Sequence, residues 1–212
     1  MAYPSSGVTV ADPDTLARDS SERLRALTRM VSLGAHLMPL VNSAKRPVRK
    51  HWPVSLALTI TDAQAHLDRG GNLGVSLTPS RMICLDAENQ AATEAVVAAG
   101  FTLTVITAKG QEPSSPKFGG SHTWLRLPDG IDPRVLPADK CGILLPGGGK
   151  IDVLAGTRFA VAPLSRIAEA VRPYSPAQGG PLDPAVYTAN PGADLDVAPM
   201  WLFDRTWTAG AA

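Results

Sequence analysis

The chain has 212 residues, of which 44% are hydrophobic, and carries 20 Lys and Arg against 19 Asp and Glu, a formal net charge of +1. That composition supports a packed core of one sizeable domain, and its balance excludes recognition of a polyanion through the overall field, so a nucleic acid would have to meet a local basic patch. The two cysteines, Cys84 and Cys141, sit in apolar runs and are expected as buried, reduced thiols; with four scattered histidines they lack the paired spacing of a zinc site. There is no basic segment followed by an apolar leader and no apolar run near the ~18 residues that span a bilayer, so a soluble, cytoplasmic protein is expected.

Residues 1–12 are small and polar and are expected to be a flexible N-terminus. Asp12 followed by Pro13 is a helix-start signal, and Leu16, Leu24, Leu27 and Val31 then recur at helical spacing until Gly34. A short strand is expected over Ala35–Val41, then a basic loop holding Lys45, Arg46, Arg49, Lys50 and His51 beside Trp52. Asp62 is expected to cap a short helix ending near Gly70.

The middle of the chain alternates. Strands are expected over Leu73–Leu77 and Met82–Asp86, a helix over Ala91–Ala99 stopped by Gly100, and a strand over Leu103–Thr107. Lys109–Phe118 has the composition of a polar loop. Further strands are expected over Thr123–Leu127 and Cys141–Leu145, and a hairpin from Ile151–Leu154 and Arg158–Ala162 after the turn Pro146–Gly149. Beyond Tyr174 the chain is rich in Pro and Gly, with Trp201, Phe203 and Trp207 available to pin it back. The expected organisation is a domain over 13–175 and a tail over 176–212, partly packed on that domain or leading to another. The fold class is α/β (α+β), its sheet at least partly antiparallel.

Three features carry possible chemistry. Asp86 and Glu88 are two apart at the end of an apolar run, so on a strand both carboxylates project from one face. Two such charges repel unless a cation lies between them, and Mg²⁺ or Mn²⁺ takes hard oxygen ligands. Taken alone, such a pair is more often two solvated acids in a turn. In Gly119-Gly120-Ser121-His122 the glycines allow close backbone approach and the His can meet a phosphate; taken alone it is more often a glycine turn with a structural His. Ser121 and His122 face opposite sides of a strand, which argues against a Ser–His nucleophile pair. Asp152 interrupts an apolar strand and needs a partner, a metal or water.

Gly147-Gly148-Gly149-Lys150 fails as a phosphate loop of the Walker type, because the glycine spacing is wrong and Ile151 stands where Ser or Thr is needed. It fits a hairpin turn, from which Lys150 could still reach a phosphate. The basic loop with its adjacent Trp52 suits phosphates and bases, although most charge runs are simply solvated.

The order of these segments resembles a known family. The chain runs through Gly34-Ala35-His36-Leu37-Met38-Pro39-Leu40, Lys45-Arg46-Pro47, Asn72-Leu73-Gly74-Val75, Leu85-Asp86-Ala87-Glu88, Gly119-Gly120-Ser121-His122, Ile151-Asp152-Val153 and Val161-Ala162-Pro163. That succession is similar to the N-terminal domain of bifunctional DNA primase/polymerases, within the archaeo-eukaryotic primase superfamily of plasmid, phage and virus replication proteins. The resemblance covers roughly residues 30–175 and rests on order and spacing, not on any one motif.

The resemblance implies an archaeo-eukaryotic primase-like fold with an RRM-like catalytic unit. It implies metal-binding and catalytic roles for Asp86, Glu88 and Asp152 around two Mg²⁺ or Mn²⁺ ions, and nucleotide binding by Ser121 and His122, with Lys150 a further candidate. Lys45, Arg46, Arg49 and Lys50 become candidates for the DNA template, and NTP or dNTP the expected substrate; a helicase domain or protein is a possible partner. A metal-dependent phosphoesterase or nuclease, or a non-catalytic DNA-binding module of an initiator, are the alternatives. The chain departs from the family in having Glu88 where Asp is usual, in the Ala108–Phe118 segment separating Thr107 from Gly119, and in lacking ligands for a zinc-binding stem.

Overall fold

Residues 13–50, 52, 55–107, 109, 113–137, 139–145, 150–168, 170 and 172–206 are described by the computed structural model. The expectations for residues 1–12, for His51, for Pro146–Gly149, for part of the 109–118 loop and for Trp207 lie outside the described residues. The helices are α1 (Pro13–Ser32), α2 (Ile60–Asp68), α3 (Leu77–Ser80), α4 (Gln90–Ala98), α5 (Pro184–Ala189) and α6 (Met200–Thr206). The strands are β1 (Leu37–Leu40), β2 (Asn72–Ser76), β3 (Met82–Ala87), β4 (Val105–Ile106), β5 (Ser121–Arg126), β6 (Asp139–Leu144), β7 (Lys150–Leu154), β8 (Phe159–Val161) and β9 (Ser175–Pro176).

The strands make two antiparallel sheets, one ordered β1-β2-β8 and one ordered β6-β7-β3-β5-β4-β9. The α/β class with antiparallel sheets expected from the sequence is therefore the architecture found.

Strand β3 shows why the sheets sit as they do. It is apolar except for Asp86 near its end, so it is buried on both faces. Met82 and Cys84 face a core shared with β1, β2, α1 and α2, whereas Ile83, Leu85 and Ala87 face a second core shared with α4 and α6. Asp86 has the parity of Met82 and Cys84, so it opens at the rim of the first core.

Local signals set several boundaries. Asn89 caps α4, accepting the Ala92 N–H at 3.0 Å. Helix α2 is capped three residues earlier than expected, by Thr59 instead of Asp62: the Thr59 hydroxyl accepts the Asp62 N–H at 3.0 Å and donates to its carboxylate at 2.7 Å, so Asp62 completes the cap instead of forming it. Gly34, at φ +89°, ends the N-terminal helical run as expected.

Other expectations are corrected. The buried stripe of α1 is Leu27 and Met30, continued by Leu33 just beyond the helix, while Leu24 and Val31 are exposed. Both sets have helical period, and only the position of β1 and the rest of the core decides between them. Strands β7 and β8 do not form a hairpin: β7 lies between β6 and β3, and β8 pairs with β2 in the other sheet. The chain leaves the six-stranded sheet at Gly156, whose φ is +53° and where a Cβ would stand 2.5 Å from the Leu136 carbonyl oxygen. Cys84 is buried but Cys141 is exposed, because it lies on the edge strand β6, where the register shifts between Lys140 and Ile143.

Much of the Pro/Gly-rich segment is packed. Leu195, Ala198, Leu202 and Phe203 are buried, and Trp201 meets Phe101 with ring centroids 6.3 Å apart. Arg29 of α1 donates to the carbonyl oxygens of Pro181, Pro191 and Ala193, tying this segment to the first helix. No helix among the described residues is long and apolar enough to cross a membrane.

Candidate functional site

The site is a row across three strands. In β7, β3 and β5 the residues Asp152, Asp86 and His122 are successive register partners, so all three project from the same face. They open toward the rim of the first core. Lys150, two residues from Asp152 on β7, shares that face and is exposed.

His122 is almost wholly buried, and its Nε2 lies 3.5 Å from Asp86 Oδ1. Its ring and that of Tyr174 meet in a T-shaped contact, with centroids 5.7 Å apart. Neither His122 Nδ1 nor Asp86 Oδ1 has a hydrogen-bond partner among the described residues. Asp152 is partly buried, and its Oδ1 accepts the Gly142 N–H at 2.9 Å across the irregular edge of β6.

The Asp86 carboxyl is held at about 2, below its ordinary 3.8. Burial pushes it up, but the adjacent His122 and the ammonium groups of Lys109 and Lys45 outweigh that and favour the carboxylate. This places Lys45, an exposed residue of the basic loop, within electrostatic reach of the site. Arg46, Arg49 and Lys50 are exposed on the same loop.

The double glycine lets β5 enter beside the acids. A Cβ at Gly120 would stand 2.8 Å from the Ala87 carbonyl oxygen and 2.9 Å from Thr107 Oγ1, and one at Gly119 would stand 2.7 Å from Gln90 Cβ. Gly119 also has φ +74°, open to glycine at little cost. Thr107 bonds to the Gly120 carbonyl through its N–H at 3.1 Å, so the intervening segment leaves Thr107 beside the glycines.

Two candidates stand apart from the row. Ser121 is fully buried on the opposite face of β5, where its hydroxyl and that of Thr93 are 2.9 Å apart. The structure thus does not bring Ser121 to the face that holds His122, as strand alternation requires. Glu88 lies just beyond β3 and is engaged by two lysines: Lys109 Nζ at 3.4 Å from Oε1 and Lys117 Nζ at 3.9 Å from Oε2. Lys109 is the residue that sequence reasoning missed. It sits within a stretch with loop composition, yet its side chain is 1% exposed. The available signal was a single lysine two residues after the strand-like run ending at Thr107.

Among the described residues no three His, Cys, Asp or Glu side chains converge on one point. Asp86 and Asp152 nevertheless fit a Mg²⁺ or Mn²⁺ ion that keeps water and phosphate oxygens in its remaining positions, since Asp86 Oδ1 is a hard donor with no hydrogen bond. A cavity of 810 Å³ opens elsewhere, at the far end of β5 between Arg81, Arg126 and Asp194, and holds none of the candidate residues.

The sequence model of the family described as "Bifunctional DNA primase/polymerase, N-terminal" matches residues 6–201. The chain belongs to this prim-pol family. The match runs past Tyr174 and takes in most of the Pro/Gly-rich segment, in keeping with the packing of Leu195 and Ala198. A comparison with curated proteins found no match. Membership gives the prim-pol domain a DNA primase/polymerase-type function, with DNA and nucleotides as substrates.

Proposed function

We propose that this prim-pol domain catalyses metal-dependent nucleotidyl transfer from an NTP or dNTP to a 3′-OH on a DNA template, in replication of the plasmid or phage type. The observation that carries the reading is the cross-strand row Asp152, Asp86, His122, with its carboxylates adjacent and its cations at the edge.

Asp86 and Asp152 are the residues that would hold the divalent cation, and Glu88 is the third candidate of the set. Mg²⁺ or Mn²⁺, when bound, supplies activation of the attacking hydroxyl and neutralisation of the leaving pyrophosphate. His122, with Nδ1 unsatisfied, binds a triphosphate oxygen and fixes the α-phosphate for in-line attack. Lys150, on the same face, and Lys45 add positive charge for phosphate or template. Arg46, Arg49 and Lys50 extend that charge along the template path, where each phosphate contact adds to the salt dependence of binding. A helicase, in the same chain or separate, is the partner that would open the duplex.

The test is extension of a labelled primer, and de novo synthesis, on single-stranded DNA with Mg²⁺ or Mn²⁺. Template-dependent incorporation lost in Asp86→Ala is the expected result. Degradation of the DNA without nucleotide consumption would instead identify a nuclease. DNA binding in EDTA that survives loss of the acids, with no incorporation, would identify a binding module.

A further inference from the structure

Glu88 is two residues from Asp86 and carries a cation already. The Lys109 ammonium that pairs with it is buried along its whole side chain, whereas the Glu88 side chain is 45% exposed. A buried ammonium is costly unless a carboxylate compensates it. Lys109 is held in place from the backbone as well, through a bridge to Ala170. Its charge also acts on Asp86. One fixed ammonium therefore serves two carboxylates of the candidate site, and Lys117 adds a second, exposed charge on Glu88 alone.

We propose that Lys109 is a positioning residue whose ammonium fills the cation place at Glu88, so that Glu88 anchors Lys109 while Asp86 and Asp152 hold the divalent ion. This rests on the nucleotidyl-transfer reading and refines its metal site. The fixed charge keeps Glu88 out of the coordination sphere and limits how tightly the free protein takes a divalent ion, because a second cation near Asp86 is repelled.

The experiment is Mn²⁺ binding to the nucleotide-free protein, followed by electron paramagnetic resonance of free Mn²⁺, for wild type, Asp86→Asn, Glu88→Gln, Lys109→Met, Lys109→Arg and Lys109→Met/Glu88→Gln. Asp86→Asn is expected to weaken binding at least tenfold and Glu88→Gln to change it less than twofold. Lys109→Met, which keeps the buried stem, is expected to tighten binding several-fold. That gain shrinks in the double variant, because Glu88 then has no charge to offer and only the relief of repulsion at Asp86 is left, and Lys109→Arg behaves as wild type. The double-mutant cycle isolates the coupling between Glu88 and Lys109. Glu88→Gln weakening Mn²⁺ as much as Asp86→Asn would overturn the proposal, as would a Lys109→Met variant with unchanged affinity. If Lys109→Met does not fold, the comparison of Glu88→Gln with Asp86→Asn decides alone. Should Asp86→Asn leave Mn²⁺ affinity unaltered, the underlying metal reading fails, and this inference with it.

Discussion

Asp86 and Asp152 are direct register partners on β3 and β7, so two carboxylates face the same side of the sheet from neighbouring strands. Like charges so placed are destabilising by themselves. The neighbourhood offsets this: Gly142 donates its N–H to Asp152, and His122, Lys109 and Lys45 favour the Asp86 carboxylate. A surface patch would have no need of such compensation. A site that must present negative charge to a cation does.

Replacing either acid by its amide keeps the shape and removes the charge. Asp86→Asn and Asp152→Asn are each expected to lower template-dependent incorporation by roughly a thousandfold, the scale of several kcal/mol of transition-state charge stabilisation. Steady-state primer extension on protein checked for native circular dichroism measures it. Activity within tenfold of wild type in both variants would remove these residues from the chemistry.

The lowered pKa of Asp86 has a consequence for stability. Its folded value of about 2 lies below the ordinary 3.8, so its contribution is full above pH 3.8 and is lost as the pH falls through about 2. The shift corresponds to about 2 kcal/mol at neutral pH, of which about half remains at pH 3. Urea unfolding at pH 6 and pH 3 should therefore show wild type losing about 1 kcal/mol more than Asp86→Asn. Equal losses in the two proteins would contradict the ion-pair account of Asp86.

Ser121 and His122 are adjacent in sequence but point to opposite faces of β5, and their variants should separate accordingly. Ser121→Ala removes a buried hydroxyl contact with Thr93 and is expected to cost about 1 kcal/mol of stability, with the KM for nucleotide unchanged within about twofold. His122→Ala is expected to raise that KM about tenfold or more, the loss of one good phosphate contact. A Ser121→Ala variant with the nucleotide defect and His122→Ala without it would reverse the assignment of faces.

Gly120 is fixed by space. A methyl group there would meet the Ala87 and Glu88 carbonyl oxygens and the Thr107 hydroxyl at 2.8 to 3.0 Å. Gly120→Ala is expected to destabilise by about 1–3 kcal/mol and to lower incorporation as well, because the backbone it displaces carries Asp86 and Glu88. A denaturation midpoint equal to wild type would show that the strand end can give way freely.

The sequence alone located most of the elements. Apolar runs bounded by glycine and polar residues marked β3, β5 and β7, since strand burial leaves a local trace. Asp86 at the end of one such run, with His122 and Asp152 on others, stood out only as separate candidates, and it was the ordered resemblance to the prim-pol family that joined the three residues that the sheet brings into one row. Local chemistry also decided that Ser121 faces away from His122, because alternation is a property of the strand itself.

Only the tertiary structure decided the pairings. Nothing local states that β7 lies beside β3 and that β8 crosses to the other sheet, because register energy comes from a partner distant in sequence. The buried stripe of α1 was ambiguous for the same reason. Lys109 was invisible as a buried cation, since its burial and its pairing with Glu88 depend on Ala170 and on the end of β3, which the chain brings together from far apart. Asp86 and Asp152 were therefore legible as acids of the site, while the cation that already stands at Glu88 emerged only when the strands were assembled.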